Sequence, residues 1–312
     1  MHAVMLDVDT LAADPDLSPI ESAVDTLTCH DSTAASEVVS RLEGADVVIT
    51  NKVVITRDII TALPDLKLIC TVGTGTDHID IAAAHEHGVE VRNVKGFGTA
   101  SIAQHTLMLM LGLAGRLLPY RHGLINNEWS TEVSFTQRLK LMTLLEGRRL
   151  VIVGHGDIGS GVARLAAAFG MHVTFAARPG NAMDTRPPLA ELLPSADVLS
   201  LHCPLTPDTQ RLIDAKALAA LPKGALLINC ARGSVIDNAA ALEALVSGHL
   251  GGLALDTLDE EPPAHKHPTL AALRQDAYNL IITPHSAWAS AEARQTLISA
   301  IAHNIATFNA CN

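Results

Sequence analysis

The chain has 312 residues, of which 48% are hydrophobic and only 3% aromatic, so Ala, Leu, Val and Ile must build most of its interior. This length exceeds the usual size of a single domain, and two domains are the expectation. The hydrophobic content excludes a disordered chain, and a formal charge of −11 without a Lys/Arg stripe argues against nucleic acid as a partner.

The N-terminal third of the chain alternates between strand-like and helical segments. Strands are predicted over residues 45–49, 66–72 and 89–93, and helices over residues 56–63 and 79–87. This βα repeat is typical of a parallel sheet covered by helices. A long helix with apolar periodicity is then predicted over residues 100–118, ending at Pro119.

A glycine motif follows the next predicted strand. Residues 151–159 join a β-branched run to Gly154, Gly156 and Gly159, and an apolar pattern at helical spacing covers residues 157–169. The first glycine permits a tight turn, the second lets the backbone approach a pyrophosphate, and the third lets helix and strand pack closely. The helix start presents free N–H groups and a positive dipole end to phosphate groups. The motif therefore predicts a dinucleotide-binding βαβ unit.

Alternating strands and helices continue after this motif. Strands are predicted over residues 172–176, 198–202, 225–229, 253–255 and 280–283, and helices over residues 214–220, 238–247 and 289–308. Near-continuous apolar runs such as residues 225–228 are typical of strands covered on both faces.

The fold class predicted from this order is α/β, with two Rossmann-like domains built on doubly wound parallel sheets. A flavodoxin-like substrate domain is expected to comprise residues 1–97 and 285–312, and a dinucleotide-binding domain residues 98–284. The active site is expected in the cleft between the two domains, near the carboxyl ends of the strands.

Five motifs occur in a characteristic order along the chain. They occupy residues 72–80, 154–159, 229–233, 256 with 261–262, and 283–288. Together they resemble the D-isomer-specific 2-hydroxyacid dehydrogenase family over nearly the whole chain. The resemblance implies hydride transfer between a nicotinamide dinucleotide and a 2-keto or 2-hydroxy acid. The chain departs from the family at Gln104, which stands where the family commonly has Glu.

Reduction of a 2-keto acid explains why particular residue types recur in these motifs. A cation must hold the carboxylate and polarise the carbonyl, and Arg232 fits because a guanidinium binds a carboxylate bidentately and stays charged. His285 is the predicted acid/base, because imidazole titrates at about pH 6.5 and can give or accept a proton. The resemblance implies that Glu261 hydrogen-bonds this imidazole, favours its protonated form and fixes its orientation.

The resemblance assigns the remaining site residues. Backbone N–H groups around Thr74 and Gly75 would hold the substrate carboxylate, and Asp256 would bind the nicotinamide carboxamide. Contacts to the cofactor are expected from Gly154, Gly156, Asp157, Ile158, Gly159, Ala177, Arg178, Cys203, Pro204, Cys230 and Asp256.

Several polar residues are expected to stay outside the chemistry. The resemblance makes His78 structural, and His155 in the glycine loop is expected to fill space. Asp259 and Glu260 are interpreted as a solvated turn. His265 and His267 have the spacing of a metal pair but no evident third ligand, so no metal is expected; they lie in a Pro-rich loop.

The end of the second strand of the dinucleotide domain bears on the choice of cofactor. An NAD-preferring unit usually carries Asp or Glu there, whereas this chain has Ala177 followed by Arg178. Arg178 could pair with the 2′-phosphate of NADP, and we expect NADP to be favoured. The alternative is that Arg178 stacks on adenine while NAD binds.

Trp288, three residues after His285, resembles the glycerate dehydrogenase/hydroxypyruvate reductase branch, where an aromatic residue at this point limits the pocket. The expected substrates are therefore small keto acids, glyoxylate and hydroxypyruvate. Two other branches of the family fit less well. Formate dehydrogenases are expected to have Gln in place of Glu261, and many phosphoglycerate dehydrogenases have an additional regulatory domain for which 312 residues leave no length. An alternative class is a dinucleotide-sensing scaffold on the same fold, although a sensor need not keep the set of Arg232, Glu261 and His285.

Assembly and location are also predicted from the sequence. The segment 117–145 carries large apolar residues outside any clear core element, which with the resemblance predicts a homodimer. These residues are Leu124, Ile125, Trp129, Phe135, Leu139, Leu141 and Met142.

Cysteine usage and hydropathy indicate a cytoplasmic protein without membrane attachment. The five cysteines are scattered without a C-x-x-C pair, which predicts reduced thiols and neither disulfides nor a zinc site. The longest stretch without a charge or amide, between His105 and Arg116, is about half of the roughly 20 residues that a bilayer crossing needs. No export signal is visible at the N-terminus.

Overall fold

A computed structural model describes residues 1–11, 13–127, 141–275 and 277–311. The chain divides into two units, one of Met1–Gly98 with Ala289–Asn312 and the other of Thr99–Trp288. This division places His285 and Trp288 in the second unit, four residues beyond the predicted boundary at 284. The physical reason is that the segment after residue 283 is hydrogen-bonded to Asp256, as described below.

The first unit is a five-stranded parallel sheet with helices. Its strands are β1 (His2–Met5), β2 (Thr26–Cys29), β3 (Val47–Thr50), β4 (Leu68–Thr71) and β5 (Glu90–Arg92). Its helices are α1 (Ser18–Glu21), α2 (Val38–Leu42), α3 (Arg57–Thr61), α4 (Ile81–Glu86) and the C-terminal helix, Ala291–Cys311. The strand order is β2-β1-β3-β4-β5. The predicted parallel α/β architecture of this unit is confirmed.

The sequence interpretation did not predict β1 and β2, although β1 is an inner strand of this sheet. Strand β2 lies at the edge of the sheet and its residues are exposed or half-buried, so no buried apolar run marks it in the sequence. Ala3, Val4 and Met5 are completely buried, because β1 pairs with β2 on one side and β3 on the other.

The second unit is built on a six-stranded parallel sheet. Its strands are β6 (Arg149–Val153), β7 (His172–Phe175), β8 (Val198–Leu201), β9 (Ala225–Asn229), β10 (Leu250–Leu255) and β11 (Leu280–Ile282). Its helices are α5 (Thr99–Ala114), α6 (Leu117–Ile125), α7 (Asp157–Ala168), α8 (Leu189–Leu192), α9 (Ala215–Ala220), α10 (Asn238–Val246) and α11 (Pro268–Gln275), and the helix Ala291–Cys311 of the first unit is α12. The strand order β11-β10-β9-β8-β6-β7 is doubly wound, with β6 and β8 adjacent where the direction of winding reverses.

The predicted helix over residues 100–118 is two helices in the structure. Helix α5 ends at Ala114, and Arg116 adopts a left-handed conformation with φ of 52° before α6 begins at Leu117. The prediction that a helix ends at Pro119 was wrong, because Pro119 lies in the first turn of α6. Proline is tolerated there because the first N–H groups of a helix have no intrahelical partner.

Apolar side chains lie on both faces of the second sheet. One cluster includes Leu199, Leu227 and Leu253 on one face, and another packs α5 and α7 against the opposite face. Within the described ranges, no helix combines the length and apolar character that crossing a membrane would require.

Candidate active site

The glycine loop between β6 and α7 has the geometry that a bound pyrophosphate requires. Gly154 has φ of 108°, and a Cβ there would lie 2.5 Å from the carbonyl oxygen of His202. A Cβ at Gly159 would lie 2.0 Å from the carbonyl oxygen of Gly154, so helix and loop could not approach so closely with another residue. Gly156 has open space around its Cβ position, next to the N-terminus of α7. These features fit a dinucleotide phosphate at this loop.

The other predicted cofactor residues surround this loop within the same unit. Asp157 and Ile158 are the first two residues of α7. The Cys203 main-chain nitrogen would lie 2.9 Å from a Cβ on Gly154, and the adjacent Pro204 carbonyl accepts from Thr209 Oγ1 at 2.7 Å. Burial raises the pKa of the Cys203 thiol to about 11. It also raises the pKa of Cys230 to about 12, so both cysteines are neutral thiols at physiological pH.

The end of β7 differs from the sequence interpretation in one respect. Ala177 and Arg178 follow this strand as predicted, but a carboxylate from later in the loop also lies there. Asp184 Oδ2 accepts from the Arg178 main-chain N–H at 2.7 Å, and Asp184 Oδ1 accepts from Arg186 Nε at 2.9 Å. The Arg186 hydrogen bonds, with those from two main-chain N–H groups, lower the pKa of Asp184 well below its usual range. The expected absence of a carboxylate was wrong, because the loop folds back on itself.

Other charged groups lie near the Asp184 carboxylate. Arg186 forms an ion pair with Asp184 through two side-chain contacts. The Arg178 side chain is exposed. A second carboxylate, that of Asp208, lies against Gly180, where a Cβ would be 2.3 Å from Asp208 Oδ2, so the two arginines and two carboxylates carry no net charge. His155 packs its ring against Phe175 of β7, with ring centroids 4.1 Å apart, which accords with a space-filling role.

Arg232 lies in the loop that follows β9. The Asn229 side chain holds this loop, since its Nδ2 donates to the Arg232 carbonyl at 2.9 Å and its Oδ1 accepts from the Ala231 N–H at 3.0 Å. The next residue, Gly233, lets the loop pack against the segment after β10. A Cβ at Gly233 would lie 1.9 Å from the carbonyl carbon of Leu258, which no side chain could accommodate without movement. The Arg232 loop and the Glu261 segment are thus in direct backbone contact.

The structure brings together the predicted acid/base and its carboxylate. His285 Nδ1 lies 2.7 Å from Glu261 Oε2, and Glu261 Oε1 accepts from the Leu258 main-chain N–H at 3.1 Å. An ionised carboxylate can only accept, so Nδ1 carries the proton of this hydrogen bond. Proton exchange with a substrate would then occur through the other ring nitrogen, Nε2. This is the arrangement that an oriented general acid/base requires.

Asp256 is a buried carboxylate at the end of β10, and it organises the segment that carries His285. Its Oδ1 accepts from Thr283 Oγ1 at 2.6 Å and from the Ser286 N–H at 3.0 Å, and its Oδ2 accepts from the Ala287 N–H at 3.1 Å. Its main-chain carbonyl accepts from the His285 N–H at 2.7 Å. These contacts hold His285 at the unusual φ of 52°.

The turn at Asp259 is not simply solvated, as the sequence interpretation expected. His267 Nε2 donates to Asp259 Oδ1 at 3.0 Å, and its Nδ1 accepts from the Thr269 N–H at 3.3 Å. His267 is buried and joins the segment carrying Glu261 to the start of α11. Across the described ranges, no group of three or more His, Cys, Asp or Glu side chains could hold a metal ion.

The predicted carboxylate-binding loop lies in the first unit, after β4. The Thr74 hydroxyl donates to the Val94 carbonyl at 2.8 Å, and Asn93 Nδ2 donates to the Thr74 carbonyl at 2.7 Å. Because its hydroxyl is already used, Thr74 would act on a ligand through its backbone, as would Gly75. Burial lowers the pKa of His78, which follows this loop, and its Nε2 is buried. These facts accord with the structural role expected for His78.

Three residues that organise the site were not identified from the sequence. Gly233 lies within a recognised motif, but its packing against Leu258 depends on a tertiary contact. Thr283 and His105 form a hydrogen-bond chain to Asp256 across a gap of more than 150 residues. The positions of Thr283 just before Pro284 and of His105 beside Gln104 were the available signals. The half-buried Trp288 ends the second unit.

Comparison with known proteins agrees with this site. Residues 107–287 match the model of the D-isomer-specific 2-hydroxyacid dehydrogenase, NAD-binding domain. The chain is 38% identical to a glycerate dehydrogenase of Methylorubrum extorquens, covering 87% of this chain and 85% of that protein. It is 31% identical to a hydroxypyruvate reductase of Blautia hydrogenotrophica, covering 88% and 86%.

The fold is also similar to that of a solved enzyme. The D-lactate dehydrogenase of Aquifex aeolicus, crystallised with NAD and lactic acid, superposes with a TM-score of 0.83 at 25% identity, covering 99% of this chain and 96% of that one. The family match, the relatives and the doubly wound sheet agree with the motifs. The chain therefore belongs to the D-isomer-specific 2-hydroxyacid dehydrogenases and is an oxidoreductase that uses a nicotinamide dinucleotide.

Proposed function

We propose that the chain reduces a small 2-keto acid, glyoxylate or hydroxypyruvate, to the 2-hydroxy acid, with Arg232, Glu261 and His285 as the catalytic residues. The observation that carries this proposal is the 2.7 Å contact between His285 Nδ1 and Glu261 Oε2, in a segment that packs against the Arg232 loop. The relatives named glycerate dehydrogenase and hydroxypyruvate reductase support this choice of substrates.

Each residue has a distinct task in the proposed mechanism. Arg232 binds the substrate carboxylate with its planar guanidinium and polarises the keto oxygen. A nicotinamide dinucleotide held by the glycine loop would supply the hydride that reduces C2 of the substrate. His285 donates the proton from Nε2 to the developing alkoxide, and Glu261 holds the ring and stabilises its positive charge.

The remaining predicted residues bind substrate and cofactor. Backbone N–H groups at Thr74 and Gly75 hold the substrate carboxylate, and Trp288 restricts the size of the keto acid. Asp256 contributes to the cofactor site beside the nicotinamide carboxamide. The glycine loop and the first turn of α7 bind the pyrophosphate.

The cofactor in this proposal is NADPH in preference to NADH. Arg178 is exposed at the end of β7, and the only described carboxylate contacting its main-chain N–H, Asp184, is already paired with Arg186. A guanidinium bound to a 2′-phosphate through charge-assisted hydrogen bonds, each about 1.5–3 kcal/mol, would favour NADPH by tenfold or more. Arg178→Ala should weaken NADPH binding far more than NADH binding, and Ala177→Asp should reverse the preference.

A steady-state screen of glyoxylate, hydroxypyruvate and pyruvate against NADH and NADPH tests the function directly. The proposal expects turnover of glyoxylate or hydroxypyruvate, and a loss of about 100- to 10,000-fold in His285→Ala with cofactor binding retained. Absence of turnover with any keto acid would favour the sensor alternative. Equal or better kcat/KM with NADH would refute the NADPH preference and leave the reductase proposal standing.

The proposed assembly is a homodimer in the cytoplasm. Large apolar side chains are exposed on α5, α6 and the following described residues, including Leu117 at 63%, Leu141 at 87% and Leu144 at 69%. Such a surface is typical of a protein interface. Of the predicted interface residues, Trp129, Phe135 and Leu139 lie outside the described residues. Sedimentation at micromolar concentration should give a dimer, and a monomer would contradict the proposal.

A further inference from the structure

The segment carrying His285 is hydrogen-bonded to one face of α5 at two points. Ser101 Oγ donates to the Ala287 carbonyl at 2.8 Å, and His105 Nε2 lies 3.0 Å from Thr283 Oγ1. Ser101 and His105 are four residues apart and therefore share a face of the helix. Their two contacts lie on either side of His285 in the sequence, two residues before it and two after it.

The direction of the hydrogen bonds at His105 follows from the chemistry of its neighbours. The single proton of the Thr283 hydroxyl goes to Asp256 Oδ1, since an ionised carboxylate has none to give. The Thr283 oxygen can then only accept from His105, so His105 carries a proton on Nε2. Burial lowers the pKa of His105, against a smaller opposing effect of Asp256, which favours a neutral ring with its one proton at that nitrogen.

The hydrogen-bond donors around Asp256 fix the orientation of this buried carboxylate, to which the segment 283–287 is hydrogen-bonded. Nε2 of His105 also lies 3.5 Å from Asp256 Oδ1, the oxygen that accepts from Thr283 and from the Ser286 N–H. Each donor fixes the orientation of Asp256, and Asp256 in turn fixes the N–H groups of residues 286 and 287. His105 thus acts on the segment both through Thr283 and through the carboxylate.

We propose that Ser101 and His105 are positioning residues that hold the segment 283–287 in the conformation that presents His285 for proton transfer. This inference rests on the proposed role of His285 as the acid/base. It also assigns Asp256 a positioning role in addition to its proposed contact with the cofactor. A small displacement of a catalytic group can cost about 100-fold in rate, so loss of one hydrogen bond in this set should be measurable.

The test compares His105→Leu, which removes the donor, with His105→Gln, whose amide nitrogen can occupy the position of Nε2. His105→Leu should lower kcat about tenfold while the dissociation constant of NADPH changes less than about threefold. His105→Gln should restore most of kcat, because the role requires a neutral donor. Equal losses in the two variants would overturn the inference, since packing and not the donor would then be responsible.

A double-mutant cycle tests whether His105 acts through Thr283. If it does, the losses in His105→Leu and Thr283→Val should be less than additive in the double variant. Fully additive losses would show that the two residues act independently, against the inference. Gln104→Ala is the matched control, because Gln104 is the exposed neighbour of His105 on α5 and should leave kcat unchanged.

Hydrogen exchange measured by mass spectrometry gives a readout independent of activity. In His105→Leu and in the milder Ser101→Ala, a peptide covering residues 283–288 should exchange about tenfold faster than in the parent. Unchanged exchange in both variants would overturn the inference. Full activity of His285→Ala would instead contradict the proposed function. The exchange data would still show whether Ser101 and His105 hold the segment 283–287 in place.

Discussion

Replacing Glu261 by Gln tests the central contact of the site, because an amide cannot make both of the hydrogen bonds that the carboxylate makes. The two oxygens of Glu261 accept from different donors, His285 Nδ1 at 2.7 Å and the Leu258 N–H at 3.1 Å. Glutamine has one acceptor oxygen and one NH2 group, so one of the two contacts must become a donor facing a donor. If the oxygen turns to Leu258, the NH2 group faces Nδ1, and the neutral imidazole must change its tautomer.

The magnitude follows from the kind of hydrogen bond that is lost. A hydrogen bond to a charged group contributes about 1.5–3 kcal/mol, which corresponds to about 10- to 150-fold in rate if it acts on the transition state. The His285 and Glu261 side chains are 26% and 32% exposed, so solvent screening places the expectation near the lower limit, at about tenfold. Glu261→Gln should therefore lower kcat by about this factor without weakening cofactor binding.

The assay is the steady-state reduction of the best keto acid from the substrate screen, with the dissociation constant of NADPH measured by fluorescence. Glu260→Gln is the matched control. Glu260 is the exposed residue before Glu261, and this substitution removes the same charge without touching the hydrogen bond to His285. A kcat for Glu261→Gln within twofold of the parent would refute the reasoning. An equal loss of kcat in Glu260→Gln would show that the net charge of the segment, and not the hydrogen bond to His285, causes the effect.

Three further predictions concern the rest of the second unit. Arg232→Lys should raise KM and lower kcat together, because an ammonium cannot reproduce the two-point contact with a carboxylate; unchanged kinetics would move the substrate anchor elsewhere. Gly233→Ala should lower both Tm and kcat, since its Cβ would lie 1.9 Å from the Leu258 carbonyl carbon, and a parent-like Tm would contradict that packing. Burial lowers the pKa of His202 from 6.5 to about 4, so the unfolded chain binds more protons between these values and stability should fall as pH decreases through this interval. His202→Gln should flatten that fall, by at most about 3 kcal/mol in unfolding free energy, and an identical pH profile would show that other groups cause it.

The sequence was most informative where a residue follows a strand within three positions. Arg232, Asp256 and His285 come after β9, β10 and β11, and each strand is a short apolar run that the pattern identifies. Their contacts within the segment could be expected once the motifs were recognised. The pairing of His285 with Glu261 is an instance, since both lie in motifs of the same family.

The sequence was least informative where a loop folds back or a helix changes direction. Asp184 reaches the end of β7 from six residues beyond Arg178, and nothing in the pattern of that loop indicates its path. Asp259 looked like part of a solvated turn, because its partner His267 is recognisable only after α11 is in place. The break at Arg116 depends on one left-handed residue, which apolar periodicity does not reveal.

The order of strands in the second sheet explains how distant motifs converge on one site. Because β9, β10 and β11 are neighbours and parallel, the segments that follow them leave the same edge of the sheet side by side, although the chain separates them by more than 20 residues each. The glycine loop and the end of β7 occupy the other half of that edge, beyond the reversal between β6 and β8. A dinucleotide bound across this reversal would have its adenosine end at β7 and its nicotinamide end at the catalytic strands. The proposed cofactor choice at Arg178 and the proposed proton transfer at His285 therefore depend on separate halves of the sheet, and substitutions in one half should leave the other function unaltered.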